Sequence, residues 1–236
     1  MGRFIQGTKV RIFIAPLILC KRYVPADQTI SVDAATSGAN NIVATGGLTA
    51  DLSRFSTLTT TISGVTRYLY VDADVFAGDT NIPIKGLNFD LPASTLNFTA
   101  KQPIANTTES GFELTANAQE FYFLNEQGGS FKDETTVTGE WSIPVTTNVQ
   151  LETPSHVIMS NCAVDLIEND REVYVWIEYP PSSCVEGLGF TGRTSREGVA
   201  CVMEYNEQVT GDNIVTVSAT LSGRGAVTVG SFYDAA

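Results

Sequence analysis

Residues 28–100 repeat themselves. Ile30-Ser31-Val32-Asp33-Ala34 returns as Leu69-Tyr70-Val71-Asp72-Ala73, Gly47-Leu48-Thr49-Ala50-Asp51-Leu52 as Gly86-Leu87-Asn88-Phe89-Asp90-Leu91, and Ser56-Thr57-Leu58 as Ser94-Thr95-Leu96, at offsets of 39, 39 and 38 residues. Two copies are too few for a solenoid, which needs at least about three. The simpler expectation is a pair of similar β-units packed on each other, giving a module of about 70 residues, a size at which a unit holds its own core. Thr8 to Leu19 before it reads as a first strand, and Lys101-Gln102-Pro103 after it marks a boundary. The module therefore reads as an insertion, residues 28–100, in one β-domain made of residues 1–27 and 101–236.

Period-two alternation recurs along the chain, while helical periodicity is almost absent. Val215, Val217, Ala219 and Leu221 share one face of a strand whose other face carries three hydroxyls, and Gly223-Arg224-Gly225 breaks it. Further strands are expected over Arg67 to Val75, Phe131 to Ile143, Glu172 to Tyr179 and Val199 to Tyr205. One helix is expected, from Pro154 to Val164, because Thr153 can cap it and Pro154 suits its first position. The fold class is all-β with one short helix.

Only 17% of the 236 residues are charged, against about 25% in ordinary soluble domains, which fits a β-protein whose surface is largely covered. The charge is split. Arg3, Lys9, Arg11, Lys21 and Arg22 supply five of the fourteen basic residues before the first of the twenty-six acidic ones, Asp27. An acidic body after residue 27 argues against nucleic-acid binding, which needs a basic stripe; the basic arm suits an acidic neighbour instead. The apolar run Ile12 to Cys20 has the outline of a signal segment. Pro16 interrupts it, however, Leu19 stands where a small residue would precede the cysteine, and the run is far shorter than the roughly 20 residues a bilayer requires. Cys20, Cys162, Cys184 and Cys201 match no zinc or disulfide framework and read as reduced thiols.

Catalytic patterns are missing. His156 is the one histidine, which excludes a triad or a two-histidine metal site; it reads as a partly exposed helix residue. Ser195, in Gly192-Arg193-Thr194-Ser195-Arg196-Glu197-Gly198, lies in a flexible loop rather than a nucleophile elbow. Asp72, Asp74, Gly78 and Asp79 suit a calcium loop in composition but miss its spacing, so turn capping is the expectation. The loop Pro180 to Gly198 is long enough to be functional, and its apolar Leu188 and Phe190 want burial. We expect it to touch another subunit, with Arg3, Lys9 and Arg11 as further contacts. An enzyme is the least supported class, and no cofactor or metal is expected.

The carboxyl end carries a resemblance. Gly198-Val199-Ala200-Cys201-Val202, then Gly211-Asp212-Asn213, then the stretch from Val215 through Gly223-Arg224-Gly225 to Thr228 resembles the tail tube proteins of siphophages and myophages. Thr138-Gly139-Glu140-Trp141-Ser142, the helix after Thr153 and the strand Lys9 to Ile14 stand in compatible order. Gly78-Asp79-Thr80-Asn81-Ile82-Pro83 is similar to small β-units found in several phage structural proteins. The likeness is good over roughly 27 residues and loose over about 130, and it rests on strand and turn grammar. It implies a β-sandwich or half-barrel with a flanking helix, self-association into stacked hexameric rings, and contact with other tail proteins. It also implies a lumen that passes DNA without binding it specifically, and a place in the virion after assembly in the host cytoplasm, with no membrane partner. The alternatives are a tail terminator or capsid decoration protein of the same construction, or a secreted β-rich adhesin.

Overall fold

The computed structural model describes residues 10–19, 21–104, 106–124, 130–149, 153–179, 192–209 and 215–233. Within them lie β1 (Arg11–Pro16), β2 (Gln28–Val32), β3 (Asn41–Val43), β4 (Thr57–Ile62), β5 (Val65–Tyr70), β6 (Asn81–Pro83), β7 (Ser94–Phe98), β8 (Gln102–Pro103), β9 (Thr107–Ser110), β10 (Glu113–Leu124) and β11 (Ser130–Val149). After the helix α1 (Pro154–Asn169) come β12 (Val173–Glu178), β13 (Gly192–Val209), β14 (Val215–Gly223) and β15 (Thr228–Tyr233).

Nine strands form a curled half-barrel sheet in the order β10-β11-β14-β13-β12-β1-β8, with β15 also on β13 and β9 also on β11. Alternation decides which face is apolar: Val217, Ala219 and Leu221 are buried on β14, as expected, while Ser218 between them is exposed. Ala219 and Leu221 join Ile12, Ile14, Val173, Val175 and Ile177 in a core that α1 caps with Ile158, Met159 and Cys162. The helix begins at Pro154 but runs five residues past the expected end, because Asp170 in the left-handed region closes it, its N–H bonded to the Leu166 carbonyl. Thr153 is extended and makes no side-chain cap bond, and its carbonyl accepts the Val157 N–H at 3.1 Å.

Glycine packing seats the one buried tryptophan. The Trp141 ring lies against Gly223 and Gly198, where an added Cβ would overlap the indole at the first and approach within 2.7 Å of it at the second. Its Nε1 donates to the Gly225 carbonyl at 2.8 Å. Arg224 between the two turn glycines donates its N–H to the Val199 carbonyl at 2.8 Å and its guanidinium to Asp170 at 3.1 Å. That turn lets β14 and β15 succeed each other along β13.

The repeat folds by exchange rather than as two units side by side. The first strand of copy one, β2, pairs with the last of copy two, β7, so that Ile30 faces Leu96. Reciprocally, β5 of copy two pairs with β4 of copy one, Leu69 facing Leu58. Between them β3 pairs with β6 with Ile42 opposite Ile82, and the single bridges come in matching couples, Val32–Ala44 with Val71–Ile84 and Ala35–Leu91 with Leu52–Val75. Repeat-equivalent side chains thus occupy equivalent buried places in one shared core. Leu58→Ala and its counterpart Leu96→Ala, both fully buried, should each cost about 3 kcal/mol. Urea unfolding is expected to give the two variants similar losses; a twofold disparity would contradict the symmetry.

One expected loop is a strand. Residues 192–198, read as flexible, form the first part of β13, paired with β12 on one side and β15 on the other. Ser195 is accordingly buried opposite Glu178. The flanking glycines and polar residues carry no strand signal of their own; two neighbouring ladders supply the backbone partners that this segment needs. The rest of that loop, including Leu188 and Phe190, lies outside the described residues.

Candidate assembly surface

β10 and β11 build a hairpin that outruns the sheet. Glu113 through Leu124 pair with Ser142 back to Ser130, with one irregularity at Asn117/Ala118. β14 joins β11 only from Ser142 onward. Among the described residues, 130–141 therefore pair with β10 alone and β10 pairs with β11 alone. Twelve residues of strand reach about 40 Å. A two-stranded ribbon is marginal in water at best, and its unpaired edges are templates for another chain.

Exposed apolar side chains add to this surface. Ile167 is 88% exposed and Val164 68% exposed, one turn apart on the outer side of α1, and Leu114 is exposed at the root of the hairpin. Of the sequence candidates, only Arg11 lies among the described residues; Arg3 and Lys9 lie outside them. Arg11 is half exposed and forms an ion pair with Glu178 at 2.9 Å, which Lys101 also contacts. The Lys101 ammonium sits 4.4 Å from the centre of the Phe13 ring. The structure thus gives Arg11 an intramolecular partner that the sequence did not reveal.

The seam between residues 28–100 and the remainder is ionic and buried. Arg171, 4% exposed, donates to Asp165 at 2.8 Å, to Asp74 at 3.1 Å and to the Leu17 carbonyl at 3.1 Å. Asp74 also accepts the backbone N–H of Arg54 at 2.7 Å and of Leu19 at 3.0 Å. Arg54 reaches Asp165 at 3.0 Å across the same seam, while beside it, within the remainder, the more exposed Arg22 forks onto Glu172 at 2.8 and 2.7 Å. Phe55, from the repeat, enters the other core beneath the Arg54 and Arg171 guanidinium groups. Asp74 and Asp79, candidates in the calcium reading, bind this arginine and the Phe76 N–H respectively. No cluster of three or more metal-ligand side chains forms among the described residues.

His156 is buried at 9% exposure rather than partly exposed. Its Nε2 is 2.9 Å from the Tyr205 hydroxyl and 3.2 Å from Glu207, and Tyr205 donates to Glu207. The three residues pin the start of α1 to β13, and no sequence spacing announces them. Cys162 and Cys201 are free buried thiols, and burial pushes Cys162 up to about 12, which makes it inert; Cys20 and Cys184 lie outside the described residues. Among the described residues no helix is long and apolar enough to cross a membrane.

Two carboxylates set an acid limit. The Tyr205 hydroxyl holds Glu207 below its ordinary range, and the Tyr23 hydroxyl together with the Ala77 N–H does the same for Asp51. Tyr23 is in turn pushed up to about 12, chiefly by its bond to Asp51. A carboxylate depressed in the folded chain contributes stability above its ordinary pKa and loses it as pH falls through the folded value. A raised phenol contributes below its ordinary value of 10.0 and loses that as pH rises toward about 12. The melting temperature should thus decline below about pH 4.5 and above about pH 10, and Asp51→Asn should flatten both limbs in a calorimetric pH series.

No family model matches the sequence, and no curated protein matches it. One matching solved structure is described as the tail of an empty GTA particle computed with helical refinement in C6 symmetry. It is 10% identical, and the match covers 55% of this chain and 86% of that one with a TM-score of 0.39.

Proposed function

We propose that the chain is a non-enzymatic structural subunit of a long-tailed phage tail, closing into rings, six to a ring as the resemblance implies, that stack into the tail tube. The projecting β10–β11 hairpin carries the reading. A ribbon of about 40 Å whose two edges lack partners among the described residues gains them when a neighbouring copy lies alongside, and a ring of copies leaves no edge open. The curled nine-stranded sheet and the resemblance across β13, β14 and β15 support the same reading. Residues 1–27 and 101–236 then form the ring. The interlocked module of residues 28–100 stands on the outside of the tube, held by its ionic seam. The lumen passes DNA without specific contacts, and the assembled product is part of the virion.

Purified protein imaged by negative-stain microscopy should show tubes of uniform bore. A variant in which residues 116–138 are replaced by a two-residue turn should give monomers or single rings, with no tubes. Discrete single rings from the full chain would favour a tail terminator instead. A full chain that stays monomeric at millimolar concentration would overturn the reading.

A further inference from the structure

The two copies of the repeat differ in length, and the ladders show where. Leu52 and Leu58 of copy one occupy the places of Leu91 and Leu96 in copy two, yet five residues separate the first pair and four the second. Asp33 and Ala35 correspond to Asp72 and Val75, with Ala34 alone between the former and Ala73-Asp74 between the latter. Copy one therefore carries an extra residue within 53–57, and copy two an extra residue at 73–74. A third difference gives copy one an extra residue in 45–47, where Thr45 bonds within the module, to Asp33 and to the Ser31 carbonyl. The first two meet. The Leu52–Val75 bridge sets 53–57 beside 73–74 at one end of the module, and the Arg54 N–H donates to Asp74 at 2.7 Å. These same residues hold the body: Asp74 takes Arg171 and the Leu19 N–H, Arg54 takes Asp165, and Phe55 enters the other core. The equivalent end, at the Ala35–Leu91 bridge, has neither extra residue, and its Ala34, Pro92 and Ala93 have no polar side-chain group to offer.

We propose that this end is a latch, added by two single-residue insertions to a module that holds its own core, and that the module swings off the body as an intact unit when the latch opens. The hinge is residues 21–27, between β1 and β2, together with 99–101, between β7 and β8. Packing supports it: the module's core is built from repeat-equivalent side chains of both copies, and no residue of 53–57 or 73–74 belongs to it. Strain supports it too. Phe55 has a φ of 71°, a left-handed backbone that a bulky side chain rarely adopts, and such a residue persists only where its surroundings hold it. Its ring centre lies 4.8 Å from the Arg54 guanidinium carbon and 5.6 Å from that of Arg171. Opening exposes that ring, but it also lets the backbone relax, which offsets part of the cost. Arg171, Arg54, Asp74 and Asp165 share one network, so the contact is made or broken as a whole. The latch belongs to a single chain and does not depend on ring formation.

Trypsin reads the latch in the full chain. Arg22 is held by Glu172 and Lys101 by Glu178 beside the seam, and undocking frees both for cleavage. Arg54→Ala with Phe55→Gly keeps the chain length and removes both latch side chains. This variant should be cut after Arg22 and Lys101 about tenfold faster than the parent, because proteolysis follows the population of the open form. The released fragment, residues 23–101, should stay uncut at Arg67 and Lys85. Asp74→Ala, a milder change, should open the same two sites. Pro92→Ala with Ala93→Gly, the matching change at the other end, should keep the parent rate. Cleavage at Arg67 and Lys85 as fast as at Arg22 would show that the inserted residues belong to the module's own fold, and would overturn the proposal. Parent-like rates in both latch variants, or equal opening in the Pro92 and Ala93 control, would overturn it as well.

Discussion

Arg171→Met should be the most damaging single polar substitution in the protein, with a loss of about 3–5 kcal/mol in urea unfolding. The methionine fills similar space, but Asp165, 5% exposed, and Asp74, 14% exposed on its side chain, lose the guanidinium they share. A buried carboxylate without a partner keeps its desolvation cost and loses the attraction that offset it. Arg54 still reaches Asp165 at 3.0 Å, so the damage should fall mainly on Asp74 and the seam it holds. Adding Asp74→Asn to Arg171→Met should recover part of the loss, because a neutral amide is cheaper to bury than an unpaired charge. A double variant as unstable as the single one would show that the damage comes from lost packing.

Gly223→Val should cost about 3 kcal/mol, near the upper end for overfilling a packed core. The new Cβ would overlap the indole of Trp141, whose ring is also confined by Gly198 and anchored through Nε1 to Gly225. The ring has nowhere to retreat, since Phe112 stacks beside it with centroids 6.2 Å apart. Trp141→Phe on the Gly223→Val background should relieve part of the strain, so the two substitutions couple by at least about 0.5 kcal/mol. Simple additivity would mean that the valine acts on the strand and not on the ring.

Sequence reading reached far at the level of single strands. Alternation located the cores of β1, β11, β12, β13 and β14, and it chose the buried face of β14 correctly because a half-buried sheet forces period two on the side chains. Thr153-Pro154 marked the helix start because proline's geometry at a first turn is local. The 39-residue offset identified the repeat. Strand limits moved where the deciding partner was remote: β11 runs six residues past Ile143 because β14 and β9 lie beside it, and residues 192–198 are strand because β12 and β15 flank them. His156 was misjudged for a similar reason, since Tyr205 and Glu207, which bury and bind it, come from β13, about fifty residues away.

By itself the sequence determined the all-β class, the faces, the repeat and the absence of a nucleophile elbow or a second histidine, because these are local patterns or plain counts. Only the tertiary structure decided that the repeats interlock by exchanging strands, that Arg171 serves Asp74 and Asp165 together, and that β10 and the far half of β11 pair only with each other among the described residues. Pairing between strands is a long-range choice. It is settled by which backbone edges and apolar faces meet once the whole chain is closed, and a single line of residues does not encode that where two edges have the same alternation.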